Sequence, residues 1–128
     1  MSTNSSITVK VNDKYKSIYC HYAGYLEWTG KILFENYNSQ EKAESLIDGG
    51  DLSFIDKSND CPRGETSNKV EQDGFCVYYK RDRGETNVDP FICNTYQEAM
   101  KMNKQEINYL FENGEWTMDG RLLSSVLE

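Results

Sequence analysis

Alternation of apolar and polar positions marks the strands of this chain, and a change of period marks its helices. Ile7, Val9 and Val11 alternate with polar residues, Asn12-Asp13-Lys14 supplies turn chemistry, and alternation resumes over 15–22. With Asp13-Lys14 as a two-residue loop, Val9 faces Ile18 and Ile7 faces Cys20, which predicts a hairpin over 7–22 with one apolar face. From 26 to 37 the period lengthens. Leu26, Leu33 and Tyr37 fall on one helical stripe, Trp28 and Ile32 on the next, and Gly30 between them permits close packing. Asn38 or Ser39 opens a second helix, with Glu41 in the position of a capping box. Ala43, Leu46 and Ile47 are its predicted buried face, and Gly49-Gly50 its stop. Residues 51–55 close this unit as a short extended piece or a helical turn.

The stretch 57–73 holds Pro62, Gly64 and almost no apolar residues, which predicts a long loop. Phe75, Val77 and Tyr79 alternate with Cys76 and Tyr78, a third strand running on into Lys80-Arg-Asp-Arg-Gly-Glu85. Thr95 and Glu98 form a second capping box, opening a helix with Ala99, Met100 and Met102 inward. Asn113-Gly114 is the strongest turn signal, because a type I′ turn needs positive φ at both central residues. It predicts a hairpin over 107–119, with Phe111 opposite Trp116 and Tyr109 opposite Met118. Residues 122–127 read equally as a helical turn or an edge segment. The expectation is a single α+β domain over 1–128 with a frayed polar terminus, 1–6. Its sheet is mostly antiparallel, of about five strands, with two or three short helices packed on one side.

Composition narrows the function. The 128 residues carry a net charge of −7, which disfavours direct binding to nucleic-acid phosphates. Between 27 and 60 eight acids (Glu27, Glu35, Glu41, Glu44, Asp48, Asp51, Asp56, Asp60) meet only Lys31, Lys42 and Lys57, so an acidic face suited to a basic partner is expected. No run approaches the ~20 apolar residues of a membrane span, and the first residues lack a signal pattern, so the expected location is the cytoplasm. The four cysteines, Cys20, Cys61, Cys76 and Cys93, are widely spaced, without the pairing that zinc or redox motifs use. No metal, cofactor or catalytic constellation is expected, and no nucleotide, zincin or hydrolase motif is present in the sequence.

Three clusters remain as candidates. Tyr22, Tyr25 and Trp28 surround Gly24 beside Glu27, where polar-tipped aromatics suit a protein interface. His21 is the one histidine, so any imidazole chemistry must use it; strand alternation turns it away from Cys20. Arg81 and Arg83, two apart on a continuing strand, point the same way and could fork an anion.

Three blocks also resemble a known family. The first runs Tyr19-Cys-His-Tyr-Ala-Gly-Tyr-Leu-Glu27, with Gly30, Leu33 and Tyr37 and then Gly50-Asp51-Leu52-Ser53. The second is Val77-Tyr-Tyr-Lys-Arg-Asp-Arg-Gly-Glu85, and the third Glu106-Ile-Asn-Tyr-Leu-Phe-Glu-Asn-Gly-Glu-Trp116. Together they resemble a family of small uncharacterised phage, prophage and bacterial proteins. Tyr22 and Ala23 depart from that family's tryptophan and aspartate, and the loss of a carboxylate beside His21 weakens an acid–base pair. The resemblance implies a mobile-element product acting inside a bacterial cell. By analogy with accessory phage proteins, it would inhibit or modulate a host protein, a defence or nucleic-acid-handling complex above all.

The leading expectation is thus a non-enzymatic, anti-defence type of binding protein. It would dock on a basic host surface through Tyr22, Tyr25, Trp28, Glu27, Glu41 and Glu44. The alternative is a small-ligand site for a nucleotide or other anion, binding or catalytic, built from His21, Tyr25, Tyr78, Arg81 and Arg83. A homodimer through an edge strand at Ile7–Val11 is the third reading.

Overall fold

The computed structural model describes residues 3–59 and 76–127, and all structural statements concern those. They form an α+β fold around one mixed sheet of eight strands, more than the five expected. The strands are β1 (Ser5–Val11), β2 (Lys14–Cys20), β3 (Leu52–Phe54), β4 (Val77–Tyr78), β5 (Phe91–Cys93), β6 (Ile107–Glu112), β7 (Glu115–Met118) and β8 (Arg121–Leu122). Their spatial order is β4-β3-β2-β1-β6-β7-β8, and β5 pairs with the first half of β2. The pairs β1–β6 and β2–β3 are parallel, the rest antiparallel.

The helices are α1 (Lys31–Asn36), entered through a π-helical turn at Leu26–Gly30, then α2 (Gln40–Asp48), α3 (Tyr79–Arg83), α4 (Tyr96–Asn103) and α5 (Leu123–Val126). Ser39 and Thr95 cap α2 and α4 by accepting the amide N–H of Lys42 and of Glu98. Ala43, Leu46 and Ile47 are fully buried, as the period predicts. With α1 and α2 they cover the sheet face formed by Ile7, Val9, Ile18, Cys20, Tyr109 and Phe111.

The C-terminal hairpin has the predicted register, Phe111 opposite Trp116 and Tyr109 opposite Met118, around Asn113 and Gly114 at φ 56° and 79°. The first hairpin is displaced by two residues. Ile7 faces Ile18 and Val9 faces Lys16, because the turn is Asn12-Asp13 and not Asp13-Lys14. Asn12 takes φ 58°, a left-handed conformation that asparagine tolerates better than lysine. A shift of two keeps every side chain on its predicted face.

Several other expectations change. The terminus is not frayed through residue 6: β1 begins at Ser5, and Ser5 and Ser6 are fully buried. Polar side chains of β1 and β2 are buried beneath α4, on the second face of the sheet, and not exposed. Ser6 bonds Asn108, Thr8 bonds Ser17, and the Asn103 amide donates to Ser17 Oγ and the Ile18 carbonyl. Helices therefore lie on both sides. Ile7–Val11 is a central strand, flanked by β2 and β6, so it offers no free edge for a homodimer. Met102 is exposed and not inward. The third strand ends at Tyr78, and the chain turns helical at Tyr79, so Arg81 and Arg83 are not strand residues. Most of the predicted loop 57–73, with Cys61, Asp60 and Phe75, lies outside the described residues.

Candidate functional site

The turn after β2 is tightly built. His21 and Tyr22 donate their amides to the Leu52 and Ser53 carbonyls, and the Gly24 amide donates to the Thr3 carbonyl at 2.8 Å. Thr29 Oγ1 donates to the Ala23 carbonyl and Tyr109 Oη to the Gly24 carbonyl. Gly24 is buried so closely that a Cβ there would stand 2.8 Å from both Ser5 Cβ and the Thr3 carbonyl oxygen. Backbone groups anchored in this way leave little freedom in the turn.

Tyr22 and Tyr25 project from this turn, 44% and 45% exposed, beside the exposed Glu27. Trp28 does not join them as a solvent-facing anchor. Its indole N–H donates to the Ile55 carbonyl at 2.9 Å and its ring packs on Phe54, 5.4 Å between centroids, so it closes the core. His21 is held between neighbours. Its Nδ1 lies 2.5 Å from Tyr19 Oη, and its ring meets Tyr22 edge-on at 4.4 Å. Tyr19, two residues back on the same strand face, was not singled out from sequence, although strand alternation places it beside His21.

Glu27 adjoins this turn and Asp51 accepts the Tyr19 amide near it, but Glu41 and Glu44 do not gather there. The Gln40 side chain donates to the Lys10 carbonyl and to Glu44 Oε2, which puts the start of α2 near the C-terminal end of β1. The turn lies at the other end, against Thr3 and Ser5. Glu41 and Glu44 are therefore separated from Tyr22 and Tyr25 by about the length of β1, roughly 20 Å at about 3.3 Å per residue. Of the remaining acids, Asp48 pairs with Lys16 at 3.5 Å, and Asp56 is buried, its Oδ1 accepting the Lys57 amide.

The alternative ligand site is also dispersed. Tyr78 is 2% exposed on the core face, where its hydroxyl donates to the Leu46 carbonyl. His21, next to Cys20, faces the other way. Arg81 stacks 4.7 Å over the Tyr78 ring and donates to the carbonyls of Asn59 and Cys76 and to Asp82. Its guanidinium is engaged in holding α3 and β4, not presented as an anion fork. Arg83 is the last residue of α3. Nor is there a cysteine–histidine pair among the described residues. Burial pushes the Cys20 thiol up to about 12 and the Cys76 thiol to about 11, and both lie in the core. Cys93 pairs with Tyr15, at the far end of β2 from His21. No group of three His, Cys, Asp or Glu side chains that could hold a metal ion occurs among the described residues.

Asp51 carries one testable consequence. Its Oδ1 accepts the Tyr19 amide at 2.8 Å, yet burial, with Asp89 nearby, raises the carboxyl from 3.8 to about 6. An acid whose pKa is raised on folding binds its proton more tightly in the native state. Its carboxylate therefore destabilises the fold fully above about pH 6, and the penalty fades as pH falls towards 4. Asp51→Asn keeps an acceptor for Tyr19 and removes the charge. Urea unfolding should show a gain of about 1 kcal/mol at pH 7.5, allowing for solvent screening of a half-buried group. The gain should disappear near pH 3.5; an equal gain at both values would rule out this account.

Comparison of the chain with protein-family models, curated proteins and solved structures gives no match. No helix among the described residues is long and apolar enough to cross a membrane. Functional interpretation therefore rests on the geometry.

Proposed function

We propose that this chain is a non-enzymatic cytoplasmic protein that docks on a partner protein through Tyr22, Tyr25 and Glu27 and modulates its activity. The supporting observation is the pair of half-exposed tyrosines on a turn whose backbone is tied to Thr3, Thr29, Leu52, Ser53 and Tyr109 by hydrogen bonds. Large amphipathic rings on a preorganised support lose little entropy when a partner covers them. The partner chemistry that fits is a basic surface, since the chain carries a net −7. The phage-type resemblance makes a host defence or nucleic-acid-handling complex the favoured class.

The separation of rings and acids divides their roles. The tyrosines make contact, whereas Glu41 and Glu44 act through the long-range field that steers encounter. Once a partner is isolated from the native cell, Tyr22→Ala/Tyr25→Ala should raise the dissociation rate, weakening the complex at least about 30-fold. Glu41→Lys/Glu44→Lys should slow association and flatten its salt dependence, with dissociation nearly unchanged. A partner held equally well by the double tyrosine variant would refute the assignment of the contact surface.

A further inference from the structure

The opposite end of the sheet carries a second site, built by residues far apart in sequence. An open concavity of about 470 Å³ lies between the start of α4 and the strand ends, lined among others by Lys10, Asp13, Tyr15, Tyr96, Leu110 and Glu112. That volume falls in the range of about 300–1,000 Å³ usual for ligand sites. Its openness to solvent suits a side chain entering from a partner or peptide.

Two tilted rings, Tyr15 and Tyr96, stand 6.1 Å apart between centroids. Tyr15 Oη donates to Glu112 Oε2 at 2.6 Å, which fixes both side chains. Their mutual bond, with burial, pushes the Tyr15 phenol up to about 12, and burial does the same for Tyr96. Both rings therefore stay neutral at physiological pH. The other carboxylate oxygen, Glu112 Oε1, accepts no hydrogen bond among the described residues.

A cation already feels this site. Lys10 Nζ lies 5.9 Å from the Tyr15 ring centroid and 3.7 Å from Glu112 Oε2. Both contacts are loose and the lysine side chain is 37% exposed, so little holds it there. The lining carries Asp13 and Glu112 against Lys10, and the Lys14 ammonium donates to the lining residue Asn94, so selectivity for a cation rests on Glu112 and the two rings.

The geometry points to this concavity as a binding site for a guanidinium group, an arginine side chain of a peptide or partner protein. A planar cation can stack on a tyrosine face while its N–H edge donates to the free oxygen of Glu112. A second ammonium would merely repeat the loose placement of Lys10. This site is independent of the docking turn, and its test needs no partner.

The probe is N-acetyl-arginine amide, titrated into the whole protein while the Tyr15 and Tyr96 ring signals are followed by NMR. Isosteric N-acetyl-citrulline amide and the lysine analogue serve as controls, and a short arginine peptide separates a peptide-borne from a free guanidinium. Arginine amide should bind with a Kd in the millimolar range, with both rings shifting together and citrulline at least about ten-fold weaker. Glu112→Gln retains an acceptor for Tyr15 and should weaken binding about ten-fold. Lys10→Met removes the competing cation and should tighten it several-fold, an outcome that a nonessential neighbour would not produce. Arginine amide leaving both rings unshifted, citrulline binding as well as arginine, or Lys10→Met weakening the complex would each overturn the assignment. Tighter binding of the peptide than of the amide identifies a peptide-borne group as the natural ligand; equal binding identifies the free guanidinium.

Discussion

Trp116→Ala should lower the unfolding free energy by about 3–5 kcal/mol, the usual cost of truncating a buried aromatic side chain. Trp116 is 2% exposed, packs on Phe111 with ring centroids 5.1 Å apart, and donates its indole N–H to the Tyr37 carbonyl at 3.0 Å. It therefore joins the C-terminal hairpin to the end of α1, two parts of the chain 79 residues apart. Truncation leaves a cavity and an unpaired carbonyl together. A domain of this size is stable by about 5–15 kcal/mol, so the loss is about a fifth of the total or more. Trp116→Phe keeps most of the packing and removes only the donor, and about 1–2 kcal/mol is expected. Urea titration at constant m-value measures both, and an alanine variant within 1 kcal/mol of wild type would contradict this role.

Gly50→Ala is expected to cost about 3 kcal/mol or more. Gly50 sits at φ +86°, where a Cβ carries an intrinsic penalty of about 1–2 kcal/mol. That Cβ would also lie 2.3 Å from the Val88 carbonyl oxygen, which accepts the Asp51 amide at 2.8 Å. Backbone meets backbone there, so relief requires the 88–89 segment to move and its hydrogen bond to the Asp51 amide to lengthen. Gly114 is the internal control. It sits at φ +79° with nothing within 4 Å of its Cβ position, so Gly114→Ala carries only the conformational penalty of about 1–2 kcal/mol. Equal losses at the two glycines would show that the close approach at Val88 contributes nothing.

Local chemistry made much of the fold legible. Asn113-Gly114 specifies its own turn, and with it the register of every pair in the hairpin. The α2 cap, its buried face and its stop follow from 3.6-residue periodicity and short-range bonds within the same segment. The Asp119-Gly120 turn, at φ 47° and 88°, joins β7 to β8 and carries a similar local signal. Short strands left weaker traces. β5 is three residues long, and nothing in Phe91-Ile92-Cys93 indicates that it pairs with β2.

The candidate sites were legible only in part. The turn at Gly24 and the exposure of Tyr22 and Tyr25 follow from adjacent residues. Trp28 looked equivalent in sequence, and only the position of the Ile55 carbonyl shows that it belongs to the core. Arg81 and Arg83 looked like strand neighbours, because the alternation through Tyr79 contains no stop signal. The Asp82 carboxylate accepting the Tyr78 amide accompanies the change to helix there.

Taken alone, the chain's order of residues determined the fold class, the existence of the two hairpins, the register of the second and a net charge of −7. Each depends on interactions between residues a few positions apart, or on simple sums over the chain. Tertiary structure decided how these pieces meet. It placed β1 between β2 and β6, set the acids of α2 at the opposite end of the sheet from the aromatic turn, and brought Lys10, Tyr15, Tyr96 and Glu112 into one concavity. Such neighbours are chosen by parallel pairing and by burial against distant elements, for which no local pattern in the sequence carries a mark.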